Sequence, residues 1–104
     1  MKDSYQTRLW VNGKDIDLHP FAEEFVGGTV TGGVRTLKGV DAPRTVELRV
    51  TGKAVDMVVN GRKLELTQFP NDIILSTVTA VASCLKGVDT IETLQLDIKV
   101  VQQT

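Results

Sequence analysis

Few side chains in this 104-residue chain are of types that do chemistry, and their spacing decides what they could do. His19 is the only histidine and Cys84 the only cysteine. A lone cysteine forms neither an internal disulfide nor a cysteine-based zinc site, and no His, Cys, Asp and Glu cluster has metal-ligand spacing. No nucleophile sits beside an obvious base. Glu23 and Glu24 are paired carboxylates, but neighbours on a helix point about 100° apart, poor geometry for an acid–base dyad. They suit a helix N-terminus instead. His19 falls where a helix would begin, so capping is its expected role. Cys84 reads as a small, semi-buried residue near a helix end. Gly27-Gly28 and Gly32-Gly33 match no phosphate loop. No catalytic residue, metal or cofactor is assigned.

What remains polar and recurrent is Thr29, Thr31, Thr77 and Thr79, with Lys38 and Lys86. Threonine is only middling in helices, so its return invites a hydroxyl-lined surface. Thr29, Thr77, Lys38 and Lys86 would line a small-molecule site between two helices. The structural reading is that the threonines bond back to helix carbonyls. The lysines would then complement helix C-termini.

These residues recur because the chain is a tandem duplication. Trp10–Val50 aligns with Val58–Ile98 at a fixed offset of 48, without a gap, and about 15 of 41 positions are identical. Val11-Asn12-Gly13 matches Val59-Asn60-Gly61, and Leu37-Lys38-Gly39-Val40-Asp41 matches Leu85-Lys86-Gly87-Val88-Asp89. Repeats of this kind are two readings of one structural unit.

Each unit opens with a hairpin, because Asn-Gly between apolar runs supplies the positive φ that a type I′ turn needs. A helix follows. In the second copy Phe69, Ile73, Ile74, Thr77, Val78, Val81, Ala82 and Leu85 have helical spacing. Thr67 stands at the N-cap position, and Lys86-Gly87 is a stop signal. In the first copy Phe21, Phe25, Val26, Val30, Val34 and Leu37 fall on one helical face, Pro20 suits the first helical position, and Lys38-Gly39 ends the helix. Val46, Leu48 and Val50, then Leu94, Leu96, Ile98 and Val100, alternate as half-buried closing strands. The fold class is therefore α+β. Two tandem ββαβ repeats, about 5–52 and 53–102, form one domain of 1–104. A mainly antiparallel sheet carries two helices on one face in a two-layer sandwich. A ferredoxin-like strand order is one arrangement of these elements.

Function must then come from surfaces. Gly28 and Gly32 correspond to Ser76 and Ala80, small residues four apart on one helical face. Mid-helix glycine costs about 1 kcal/mol relative to alanine, which argues for close approach by another helix, a ligand or the chain's own packing. Trp10 is out of phase with Leu9 and Val11, so it projects from the solvent face of its strand, beside the position of its counterpart Val58. Such an aromatic is a candidate contact, or is covered by the chain's own termini. Trp10, Gly28, Gly32, Val58, Ser76 and Ala80 are the candidate interface.

A net charge of −1, with 12 basic and 13 acidic residues, leaves no electrostatic footprint for nucleic acid or an anionic membrane. No apolar run approaches a membrane span. A cytoplasmic protein is expected. Asn12-Gly13-Lys14, Pro20-Phe21 and Leu37-Lys38-Gly39-Val40 resemble small uncharacterised prokaryotic proteins that look like one copy of this unit. The resemblance implies an architecture and no activity. Single-copy relatives would pair as homodimers, and this chain would be a fused pair. The expectation is a non-enzymatic binding or assembly module acting through a homo-oligomer or a protein partner. The alternative is a small-molecule binder or small enzyme with its site between the helices.

Overall fold

Asn12 and Asn60 carry φ of 53° and 54°, and Gly13 and Gly61 carry 80° and 78°. Positive φ at both central residues matches the twist of the flanking strands. The turns therefore close β1 (Ser4–Val11) on β2 (Lys14–Ile16) and β4 (Ala54–Val59) on β5 (Arg62–Leu64). Each hairpin leads to a helix, α1 (Pro20–Val34) or α2 (Gln68–Ser83), and each helix to a long strand, β3 (Thr45–Thr51) or β6 (Thr93–Val101). The structure is a computed structural model that describes residues 3–85 and 88–101.

Among the described residues six strands form one antiparallel sheet in the order β2-β1-β6-β3-β4-β5. It differs from the ferredoxin-like alternative, in which the first strand of each unit lies inside, flanked by long strands. Here β2 already occupies one edge of β1 and β5 one edge of β4, so the third strand of each unit takes the centre.

The register makes the duplication a structural symmetry. Leu48 pairs with Leu96, its own repeat mate. Leu9 pairs with Leu96 as Met57 pairs with Leu48. A pseudo-twofold axis thus passes normal to the sheet between β3 and β6, and the two helices run antiparallel on one face. Alternation puts Val46, Leu48, Val50, Leu94, Leu96 and Ile98 beneath them, buried with Leu9, Val11, Met57 and Val59 in a core that both repeats share.

Asn12 and Asn60 also tie the repeats together. Asn12 Oδ1 accepts the N–H groups of Glu92 and Thr93 at 2.8 and 3.0 Å, and its Nδ2 donates to Thr90 O at 2.7 Å. Asn60 does the same for the other repeat: Oδ1 accepts from Arg44 and Thr45 at 2.7 and 3.1 Å, and Nδ2 donates to Ala42 O at 3.1 Å. Each tip clamps the loop that leads into the other unit's central strand. Both residues are exposed, where a substitution ordinarily changes stability by about 0.5 kcal/mol or less. Asn12→Ala and Asn60→Ala should each cost about 2 kcal/mol, from lost clamp bonds and from positive φ without an asparagine. Chemical denaturation measures this, and a change within about 0.5 kcal/mol in both would mean that the clamp carries no stability.

Helix ends differ from the sequence reading. α1 stops at Val34 with Arg35 as C-cap, four residues before Lys38-Gly39, and α2 stops at Ser83 with Cys84 as C-cap. Gly39 has φ of 88° in the following turns, so the glycine serves a later turn. Lys86 and Gly87 lie outside the described residues.

Candidate functional site

The space between the helices is an apolar crevice of about 10 Å³, room for one water-sized sphere. Val26, Val30, Val78, Val81 and Ala82 wall it over Leu9, Leu94 and Leu96, and Thr29 is the one hydroxyl on its lining. Thr77 is not on that lining, and its Oγ1 donates to Ile73 O at 2.7 Å. That bond is the helix back-bonding of an ordinary threonine. Lys38 is exposed in the turns beyond α1, and Lys86 lies outside the described residues. The four candidate ligand residues therefore do not converge among those described. Thr31 is fully buried and its Oγ1 has no hydrogen-bond partner.

The opposite face of the sheet carries Trp10, between Asp15 and Gln95 of the neighbouring strands. It is half-buried, because the Arg8 guanidinium lies over its ring at 4.9 Å and is held there by Asp15 at 2.9 Å. Its counterpart Val58 is half-buried on the same face. Charged residues surround both. Glu47 pairs with Asp97, and Arg49 with Asp56. Trp10 and Val58 thus share a charged sheet face, on the other side of the molecule from Gly28, Gly32, Ser76 and Ala80.

The remaining candidates are structural. His19 caps α1, its Nδ1 accepting from Phe21 N at 3.3 Å. Thr67 holds the N-cap position of α2 but makes no side-chain cap bond. Glu23 and Glu24 turn to the sheet: Thr7 N donates to Glu23 Oε2 at 3.0 Å and Tyr5 N to Glu24 Oε2 at 3.2 Å. These N–H groups point away from β6 where β2 does not reach, so the carboxylates close an open strand edge. Asn71 Oδ1 does likewise for Val55 N at 3.0 Å. Cys84 is exposed, not semi-buried, because α2 ends before it.

The outer face of the helices is the unusual surface. Among the described residues the exposed large hydrophobic side chains are Phe21, Phe25, Phe69 and Ile73. Phe21 and Phe69 are repeat mates, each 73% exposed, and so are Phe25 and Ile73, 52% and 51% exposed. Phe21 and Phe25 stack with centroids 5.9 Å apart. Helical spacing alone puts these side chains with the buried row. The buried row is instead Val26, Gly27, Val30, Thr31 and Val34, and α1 lies so close to β1 that phenylalanine cannot fit beneath it.

Gly27, not singled out by spacing, marks that closeness. A Cβ there would stand 2.6 Å from Thr7 Oγ1 and overlap Tyr5 Cβ. Gly28 is approached by the Tyr5 ring alone, and nothing comes within 4 Å of where Gly32 or Gly33 would carry a side chain. Neither glycine pair is pressed against the other helix. No charged residue stands in α1 from Phe25 to Val34, or in α2 from Ile73 to Ser83. That missing charge was the signal available in the sequence, since a helix facing water ordinarily carries charge on its outer side.

No family model matches the chain, and no solved structure matches it significantly. A "Putative molybdopterin-guanine dinucleotide biosynthesis adapter protein" from Methanocaldococcus jannaschii is 40% identical to it over 43 residues. The match covers 41% of this chain, close to the length of one repeat, and 18% of that protein. This chain is similar to a small part of a longer protein.

Proposed function

We propose that this chain is a non-enzymatic binding and assembly module. It acts through a homo-oligomer or a protein partner, and its working surface is the outer face of α1 and α2. One observation carries the reading: two surface helices whose exposed sides hold four large hydrophobic residues and long charge-free stretches. Apolar patches of several hundred Å² on a small protein mark contact sites. The crevice of about 10 Å³ gives the small-molecule alternative no comparable support, since ligand pockets run to about 300 Å³ and more. A relative named as an adapter fits a unit that works by contact, and the shared segment has the size of one repeat.

The test is site-specific photo-crosslinking in cells that make the protein, with benzoylphenylalanine replacing Phe25 or, as a control on the sheet face, Glu47. Discrete adducts are expected from position 25 and none from position 47. No adduct at position 25, or the same adducts from both, would defeat the proposal.

A further inference from the structure

We infer that the outer helical face is covered by a second copy of this chain, its helices antiparallel to the first. The inference rests on the docking reading above and names the occupant.

The other surfaces do not suit self-association. Both outermost strands are three residues long. The free edges of β1 and β4 are met by Glu23, Glu24 and Asn71. The open sheet face carries Arg8, Glu47, Arg49, Asp56, Asp97 and Lys99, of which five are exposed and Asp97 is half-buried.

The helical face has enough apolar area. A whole aromatic side chain offers about 150–250 Å². The exposed fractions of Phe21, Phe25, Phe69 and Ile73 then supply roughly 500 Å², more than half of the roughly 800 Å² that each partner of a stable dimer buries. The molecule spans 37 × 32 Å in its two long directions, so the rest of a standard interface fits on this side.

The face is also complementary to itself. Along each helix the outward positions run from large to small: Phe21, Phe25, Thr29, Gly32 on α1, and Phe69, Ile73, Ser76, Ala80 on α2. Antiparallel apposition sets the large end of one helix on the small end of its copy. Phe25 then lies over Gly32, and, by the same offset in the second repeat, Ile73 lies over Ala80 and Phe69 over Cys84. Nothing in the chain itself occupies the space above Gly32. A C2 interface demands such self-complementarity.

Sedimentation velocity on the full chain tests this at roughly 100 µM, where a dimer of micromolar Kd is mostly formed. A dimer is expected, and Phe25→Ser and Gly32→Leu should each raise its Kd about tenfold or more with an unchanged circular dichroism spectrum. Mild oxidation of Phe69→Cys should give a disulfide to Cys84 of the other copy, whereas Lys63→Cys should not. A dimer indifferent to both face variants, or lacking the 69–84 bridge, overturns the inference. So does a monomer. If a monomer still gives adducts from position 25, with a mass other than this chain's, the docking reading survives and the second copy is wrong. A monomer without adducts defeats both.

Discussion

Leu48→Ala and Leu96→Ala should each remove about 3–4 kcal/mol of stability, the range for a fully buried leucine whose site cannot collapse. The two side chains are 0% and 1% exposed and face each other across β3 and β6 at the pseudo-twofold axis. Domains of this size are stable by about 5–15 kcal/mol, so either substitution takes a large share. With a urea slope of about 1–3 kcal/mol/M, the midpoint should fall by about 2 M. Because the residues pack as neighbours, the double variant should fall short of the sum by about 0.5 kcal/mol or more. The symmetry adds a sharper expectation: the two single variants should cost nearly the same, and each should shift one common transition. A large cost from one and none from the other would mean that the repeats do not share a core.

That shared core was legible in the sequence because the signals for it are local and doubled. Asn-Gly turns, alternating strands and the offset of 48 specify the ββαβ unit twice, and the ambiguous glycine-rich stretch of the first copy was resolved by its apolar mate. Strand order was not legible, since alternation shows which face of a strand is buried and says nothing of its neighbour. The constraint that decides it, β2 already occupying one edge of β1, belongs to the assembled sheet. The candidate surface was half legible. Gly32 and Ala80 were marked by their size. Spacing points Phe21 and Phe25 inward, because phenylalanine in a helical row ordinarily faces a core, and only the closeness of α1 to β1 turns them out. Strand phase puts Trp10 on the open face with Arg8, two residues before it, but it does not show that Asp15 of β2 holds the guanidinium over the ring.

Duplication left the two helices free to pack differently, and Gly27 records how. Its repeat mate is Leu75, which is half-buried, and α2 touches β4 less extensively than α1 touches β1. The first helix rests directly on the Tyr5 and Thr7 side chains of its strand through a glycine. The second is held off by a leucine. Gly27→Ala should therefore destabilise the protein even though alanine is the better helix former by about 1 kcal/mol. The added methyl meets Tyr5 Cβ and the Thr7 hydroxyl, whose Oγ1 is fixed by a 2.9 Å bond to Glu23 O. Neither is the far end of a flexible side chain. Overpacking of this kind costs about 1–3 kcal/mol and displaces backbone, which here would also loosen the carboxylate caps on Tyr5 and Thr7. Gly33→Ala, on the same helix with nothing within 4 Å of the new methyl, should stabilise by about 0.5–1 kcal/mol. Opposite shifts of the melting temperature, each about 4 °C per kcal/mol, are the expected result from one pair of thermal scans. A rise for both variants would show that α1 has room to lift from β1 and that Gly27 is not what seats the helix on the sheet.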